Sequence, residues 1–232
     1  MPRQGSHRAS VALAAFALLA TCGPQREVGR EPMARDWLQA APLPTPRSEV
    51  GVAELGGRIY VVGGLAANRT VSAAVEIYDP ASDAWSSGPG LPQPVHHAAV
   101  VGSGGRLYVI GGHRGIPFQP VASVYALDPA LGAWETLEPL PRARGALAAV
   151  AVGGRIYAIG GQAPDETAVR NVERYDPEED RWEPMPPLPT PREHLAAATL
   201  GDAIYVAGGR VGSLESNLPT LEAFDTRALT WE

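Results

Sequence analysis

Past residue 36 the apolar residues arrive in short runs, and the runs repeat. Each cycle opens with small side chains: Gly51-Val52-Ala53, Ala98-Ala99-Val100, Leu147-Ala148-Ala149 and Leu195-Ala196-Ala197. A bulkier run follows, with an aromatic second residue (Ile59-Tyr60, Leu107-Tyr108, Ile156-Tyr157, Ile204-Tyr205), and closes on a double glycine at 63–64, 111–112, 160–161 and 208–209. A third run carries Tyr78, Leu127, Tyr175 or Phe224, then at once Asp79, Asp128, Asp176 or Asp225, and a Trp seven residues after the aromatic or Leu position. The five Trp stand at 37, 85, 134, 182 and 231, so their intervals are 48, 49, 48 and 49 residues. A beat this regular marks structural repeats.

The runs predict strands with different jobs. Small side chains suit strands crowded around a common axis. Runs such as Tyr60-Val61-Val62 and Tyr108-Val109-Ile110 carry bulk on both alternating faces, which predicts the most buried strands, covered on each side. The double glycines predict positive φ or close approach of a neighbouring backbone. Asp-Pro at 79–80, 128–129 and 176–177 predicts turns into an outer strand, the carboxylate accepting from nearby amides. A fully buried Trp removes roughly 150–250 Å² from water, on the order of 4–6 kcal/mol before entropy. Each repeated Trp is expected to pack between repeats.

The N-terminus follows another pattern. Arg3, His7 and Arg8 precede an unbroken apolar run, Val11 to Ala20, too short to span a bilayer and suited to an export signal. The only cysteine, Cys22, follows Leu19-Ala20-Thr21. This resembles the lipobox of bacterial lipoproteins, although Thr21 stands where Gly or Ala is usual. The resemblance implies lipidation of Cys22 and an exported protein, periplasmic or on the outer cell surface, touching membrane only through its anchor. Residues 23–36 read as a flexible tether.

Composition narrows the classes further. The 232 residues carry a formal charge of -6, with 26 Gly and 23 Pro. Gly and Pro at that density favour turns and short strands over helices. Nucleic acid is not an expected partner without a basic surplus. A single Cys excludes a disulfide framework, a Cys-rich zinc site and a CxxC redox centre. No GxSxG, P-loop, dinucleotide fingerprint or HExxH occurs.

The sequence PLPxPR, a small-residue strand, IYVVGG and VExYDPxxxxW together resemble the Kelch repeat over residues 37–232. Leu127 and Thr226 depart from the pattern. The resemblance implies an all-β propeller of four blades, about 47–85, 95–134, 144–182 and 192–231, each of four antiparallel strands. Trp37 would supply an orphan outer strand. Such propellers usually close with about six blades, so an incomplete ring is expected, from a shortened chain or with blades completed by another molecule. Open blade faces around 47–85 and 192–231 would then favour self-association.

Residues common to every repeat serve the fold, so function is sought where repeats differ. One column reads Glu49, His97, Ala146 and His194; two residues earlier it reads Arg47, Val95, Arg144 and Arg192. In Kelch propellers these positions enter the innermost strand and line one mouth of the channel. By that resemblance Arg47, Glu49, His96, His97, Arg144, Arg192 and His194 gather there, as candidates to bind ligand. Arginine forks hold carboxylates, and His or Glu moves protons near neutral pH. The plainer reading leaves the arginines in solvent after their prolines. The loops His113 to Gln119 and Arg210 to Pro219 are expected to add contacts. His96-His97 is not expected to hold a metal, because adjacent residues on a strand point to opposite faces. No cofactor is expected.

These features point to a cell-envelope binding module for a protein or carbohydrate. The alternative is a sugar-acid enzyme similar to sialic-acid mutarotases (N-acetylneuraminate epimerases), whose residue types occur here without a positional match. Copper chemistry like that of galactose oxidase needs a crosslinked Cys, and Cys22 sits at the signal.

Overall fold

Connections of two residues join the first two apolar runs of each repeat, which permits only antiparallel pairing. Gly56-Gly57, Gly104-Gly105 and Gly153-Gly154 occupy three of them with positive φ at both residues, matching the twist of a tight hairpin. The computed structural model describes residues 37–232, so the expected export signal, Cys22 and the tether lie outside the described residues. Among the described residues all regular structure is strand, and no helix is long and apolar enough to cross a membrane.

Residues Ala40–Glu232 form one unit of four blades. Blade 1 comprises Gly51–Leu55, Arg58–Val62, Val75–Asp79 and Ala84–Ser87, paired in that order. Blade 2 comprises Ala99–Ser103, Arg106–Ile110, Val124–Asp128 and Ala133–Leu137; blade 3, Ala148–Val152, Arg155–Ile159, Val172–Asp176 and Arg181–Pro184. Blade 4 comprises Ala196–Leu200, Ala203–Ala207, Leu221–Asp225 and Thr230–Trp231. The repeated residues meet in register: Ala53 faces Tyr60, Ile59 faces Tyr78, and Tyr78 faces Trp85.

The small-residue strands are innermost, as their side chains predict. Val52, Val100, Val150 and Ala198 border an open channel of about 320 Å³. The second strands are the best buried, with Leu107, Ile110, Ile156 and Ile159 at 0% exposure. Three apolar clusters fill the spaces between successive blades, and Trp134, Trp182 and Trp231 pack at their outer edges. The repeated Trp are half-buried, so the burial free energy expected for full coverage is an upper limit. Their second role is polar. Each indole Nε1 donates to a carbonyl just before its own blade: Trp85 to Ala41 (2.9 Å), Trp134 to Pro89 (3.0 Å), Trp182 to Glu138 (2.9 Å) and Trp231 to Pro186 (2.9 Å).

The glycine pairs are where blades touch by backbone. Gly112 donates to the Arg144 carbonyl of the next blade at 3.0 Å, and a Cβ there would lie 2.8 Å from the His96 carbonyl oxygen. Gly64 and Gly161 donate in the same way to Val95 and Arg192. The Asp residues close the outer turns as expected, Asp79 accepting from Ala81 and Asp128 from Ala130.

Two features differ from expectation or bear on closure. Trp37 lies in no strand and is exposed, so the orphan strand expected there is not formed. On the far side of blade 4, Leu200 and Leu221 are 73% and 63% exposed. A Cβ on Gly208 would meet nothing nearer than 3.8 Å. Among the described residues no blade covers that face.

Candidate functional site

The arginines of the expected binding ring are inside the protein. The side chains of Arg47, Arg144 and Arg192 have 0% exposure and pair with Glu76, Glu173 and Glu222, at 2.9 Å for Arg47 and 2.8 Å for Arg192. All three glutamates occupy the second position of their blade's third strand. Blade 2 has Val95 where the others have Arg and Tyr125 where they have Glu, so both halves of the pair are replaced together. Losing only one would strand a buried charge. These arginines therefore hold each blade's entry segment to its third strand. They neither clamp a ligand nor lie in solvent, which corrects both sequence-based expectations for Arg47, Arg144 and Arg192.

The column two residues later does reach the mouth. Glu49, His97, Ala146 and His194 all have positive φ, at 54°, 54°, 53° and 52°. They are linked blade to blade by backbone bonds: His97 N–H to Glu49 O (3.0 Å), Ala146 to His97 (2.9 Å) and His194 to Ala146 (2.9 Å). Left-handed backbone is costly for residues with a Cβ, and here this ladder fixes it. Ala146 is small, which leaves His97 and His194, from blades two apart, free to meet with ring centroids 4.9 Å apart.

Every histidine among the described residues converges on this point. His96 stacks on His113 with centroids 5.5 Å apart, His97 meets His113 edge-on at 5.6 Å, and Phe118 lies 4.5 Å from the His96 ring. His96 Nδ1 and His97 Nδ1 are 2.5 Å apart. These neighbouring side chains thus meet, where opposite faces were expected. His97 is left-handed and outside any regular strand, so the two-residue alternation on which that expectation rests does not apply.

Hydrogen-bond partners face the ring nitrogens. The Gly115 carbonyl oxygen lies 3.3 Å from His96 Nε2, and the direction of that contact and of the one between His96 Nδ1 and His97 Nδ1 follows the tautomer of each ring. Glu49 Oε2 stands 3.1 Å from His97 Nε2 and accepts from it when that nitrogen carries the proton. Across the mouth, His194 Nδ1 bonds to the buried Glu193 carboxylate, whose other oxygen accepts from Arg210 Nε at 2.6 Å. The charges respond to the crowding. Burial, reinforced by His194, His96 and His113, pushes His97 down to about 3, and burial with His96 and His194 pushes His113 down to about 4. Burial raises Glu193, but the His194 and Arg210 hydrogen bonds outweigh it and hold the carboxyl below its usual range.

Sequence reasoning placed Glu49, His97 and His194 correctly at one mouth and named His96. It flagged the loops that supply His113, Phe118 and Arg210, and it missed Glu193. The missed signal was register. Ser48, His96, Gly145 and Glu193 each face the residue after the second glycine of their own blade, namely Leu65, His113, Gln162 and Arg210. Gly145 has a further role: a Cβ on it would fall 2.2 Å from the His113 ring, so only glycine admits that imidazole.

The Kelch motif pattern matches residues 46–92, 94–141, 143–189 and 191–232, one match per blade. The chain belongs to the Kelch family. Among solved structures, that of YjhT is similar, with a TM-score of 0.71 and 18% identity. The similarity covers 82% of this Kelch chain and 65% of YjhT, so the chain spans just under two thirds of that structure and shares its fold. No curated protein matches in sequence.

Proposed function

We propose that this Kelch protein is a binding module of the cell envelope and that the histidine-lined mouth engages its ligand, a protein or a carbohydrate. One observation carries the reading: the chemically rich side chains concentrate where the blades differ, at Glu49, His96, His97, His113, His194 and Arg210, while the repeated residues are occupied in holding the fold. Aromatic and imidazole faces beside an Arg–Glu pair offer the mixed apolar and polar surface that recognition uses. Export and a lipid anchor on Cys22 complete the proposal.

The test compares the wild type with Glu49→Ala and His194→Ala, immobilised over a carbohydrate array and over solubilised envelope proteins. Both variants alter exposed mouth residues and should fold normally while losing capture by about tenfold or more. Capture unaffected by both would move the binding surface elsewhere. Cys22→Ser should shift the protein from the membrane fraction to the soluble exported fraction; unchanged fractionation would end the anchor proposal.

The sugar-acid reading loses its main support, since the arginines meant to clamp a carboxylate are committed to buried glutamates. Arg210 beside His194 is what remains for it. Anomer exchange of N-acetylneuraminate followed by NMR decides it, and no acceleration over buffer removes it.

A further inference from the structure

We infer that the mouth holds one zinc-like divalent metal ion on Glu49, His97 and His194. This deepens the reading of the mouth as the ligand-engaging end, and rests on it for its biological use.

One ligand atom from each of these three residues lies within 4.8 Å of those of the other two. They come from three different blades, brought together by the blade-to-blade ladder through Ala146. The closest pair is His97 and Glu49, with Nε2 and Oε2 3.1 Å apart. Without an ion, a neutral His97 with its proton on Nε2 donates to the carboxylate. With the proton on Nδ1 instead, donated to His96 Nδ1, the Nε2 lone pair and the carboxylate oxygen face one point that a divalent ion fills.

The surrounding shell fits the same role. Metal-bound histidines usually donate their second ring N–H to a carboxylate or another fixed acceptor, which sets the tautomer. His194 Nδ1 is bonded to Glu193, itself held by Arg210, and His97 Nδ1 is bonded to His96. With these Nδ1 atoms donating, each ligand histidine presents Nε2. Arg210 Nη2, 3.1 and 3.3 Å from the two ring nitrogens of His194, competes for that lone pair and must turn aside. Two imidazoles and one carboxylate suit zinc and its first-row neighbours over calcium or magnesium. With Glu49 42% exposed at its side chain, an outward coordination position is open to water or to a donor group of the ligand.

The experiment titrates the 232-residue chain, carrying His7→Ala to exclude the one imidazole outside the described residues, with Zn2+ and separately with Co2+. About one equivalent of Zn2+ should bind with about micromolar affinity or tighter, and Co2+ should give the intense visible bands of a four- or five-coordinate site. His97→Gln, His194→Gln and Glu49→Gln should each weaken binding by about 100-fold, and Glu193→Gln by about 10–100-fold through the second shell. Circular dichroism of each variant confirms folding, and the exposed Glu49 and His194 variants keep the test valid if His97→Gln unfolds. Zn2+ affinity weaker than about millimolar, or affinity that folded Glu49→Gln and His194→Gln both leave unchanged, overturns the metal site. Mouth variants that still lose capture in metal-free buffer would preserve the recognition reading while the metal fails. Intact metal binding with unaltered capture would do the reverse.

Discussion

Blade 2 and blade 3 are built on the same strands and treat the channel mouth in opposite ways. Blade 3 anchors its entry segment with the buried Arg144–Glu173 pair and then presents Gly145, Ala146 and Gln162, short or uncharged side chains. Blade 2 replaces the ion pair with Val95 and Tyr125, and presents His96, His97 and His113. The difference is complementary as well as opposite: Gly145 leaves the space His113 fills, and Ala146 leaves the space across which His97 reaches His194. A repeat can thus be emptied so that its neighbour can be functional. Comparison within one chain separates the two kinds of residue, because whatever all blades share is needed by the blade, and whatever one blade alone has is needed by something else.

The comparison can be broken most forcefully at the ion pair. Arg144→Ala strands Glu173 in the interior and should cost about 3–5 kcal/mol in urea unfolding. The double change Arg144→Val with Glu173→Tyr copies blade 2 and should recover most of that loss. If the double variant is as unstable as the single one, blade 2 is not a valid template for blade 3.

Acid comes next. His97 and His113 are held below the ordinary histidine value near 6.5, at about 3 and about 4, so the unfolded chain binds more protons between those limits. Their contribution is therefore complete above about pH 6.5 and is lost as pH falls through the range down to about 3, on the order of a few kcal/mol in total. His96, His194, Glu49, Glu193 and Arg210 surround them and shape the curve. Urea midpoints measured in metal-free buffer from pH 8 to 4 should fall steeply, and less so in His97→Gln. An equal slope in that variant would place the acid sensitivity outside His97.

A smaller effect is expected where blade 3 makes room. Gly145→Ala pushes a methyl into the His113 ring and should cost about 1–3 kcal/mol, with the His113 imidazole resonances shifted in NMR spectra. Unshifted resonances would show that the gap in blade 3 is not what seats His113. Smallest is Trp134→Phe, which keeps an aromatic ring and removes the donor to Pro89; about 0.5–1.5 kcal/mol is expected from thermal unfolding. The same change at Trp182 should match it if the blades are stitched alike.

Much of this was legible in sequence for a physical reason: a blade is a local object. Its strands are successive, its turns are two or a few residues, and the Trp, Asp and double-Gly signals recur because each blade solves the same packing problem. The mouth column was legible in part, since register alone aligned Glu49, His97, Ala146 and His194. The arginines were misread because their partners, Glu76, Glu173 and Glu222, lie about 30 residues away in sequence, and a PxPR motif looks the same whether Arg turns outward or inward. His96 and His97 were misread because strand alternation was assumed through a left-handed residue.

By itself, then, the sequence determined the repeat, the four-stranded blades, the order of small and bulky strands and the positions that vary. Tertiary structure alone decided which polar residues are interior and which meet across the channel. Blade architecture follows from short-range periodicity and turn chemistry. The mouth depends on side chains from three blades, spread over roughly 145 residues of chain, converging through backbone bonds between blades and through the gaps left by Gly145 and Ala146.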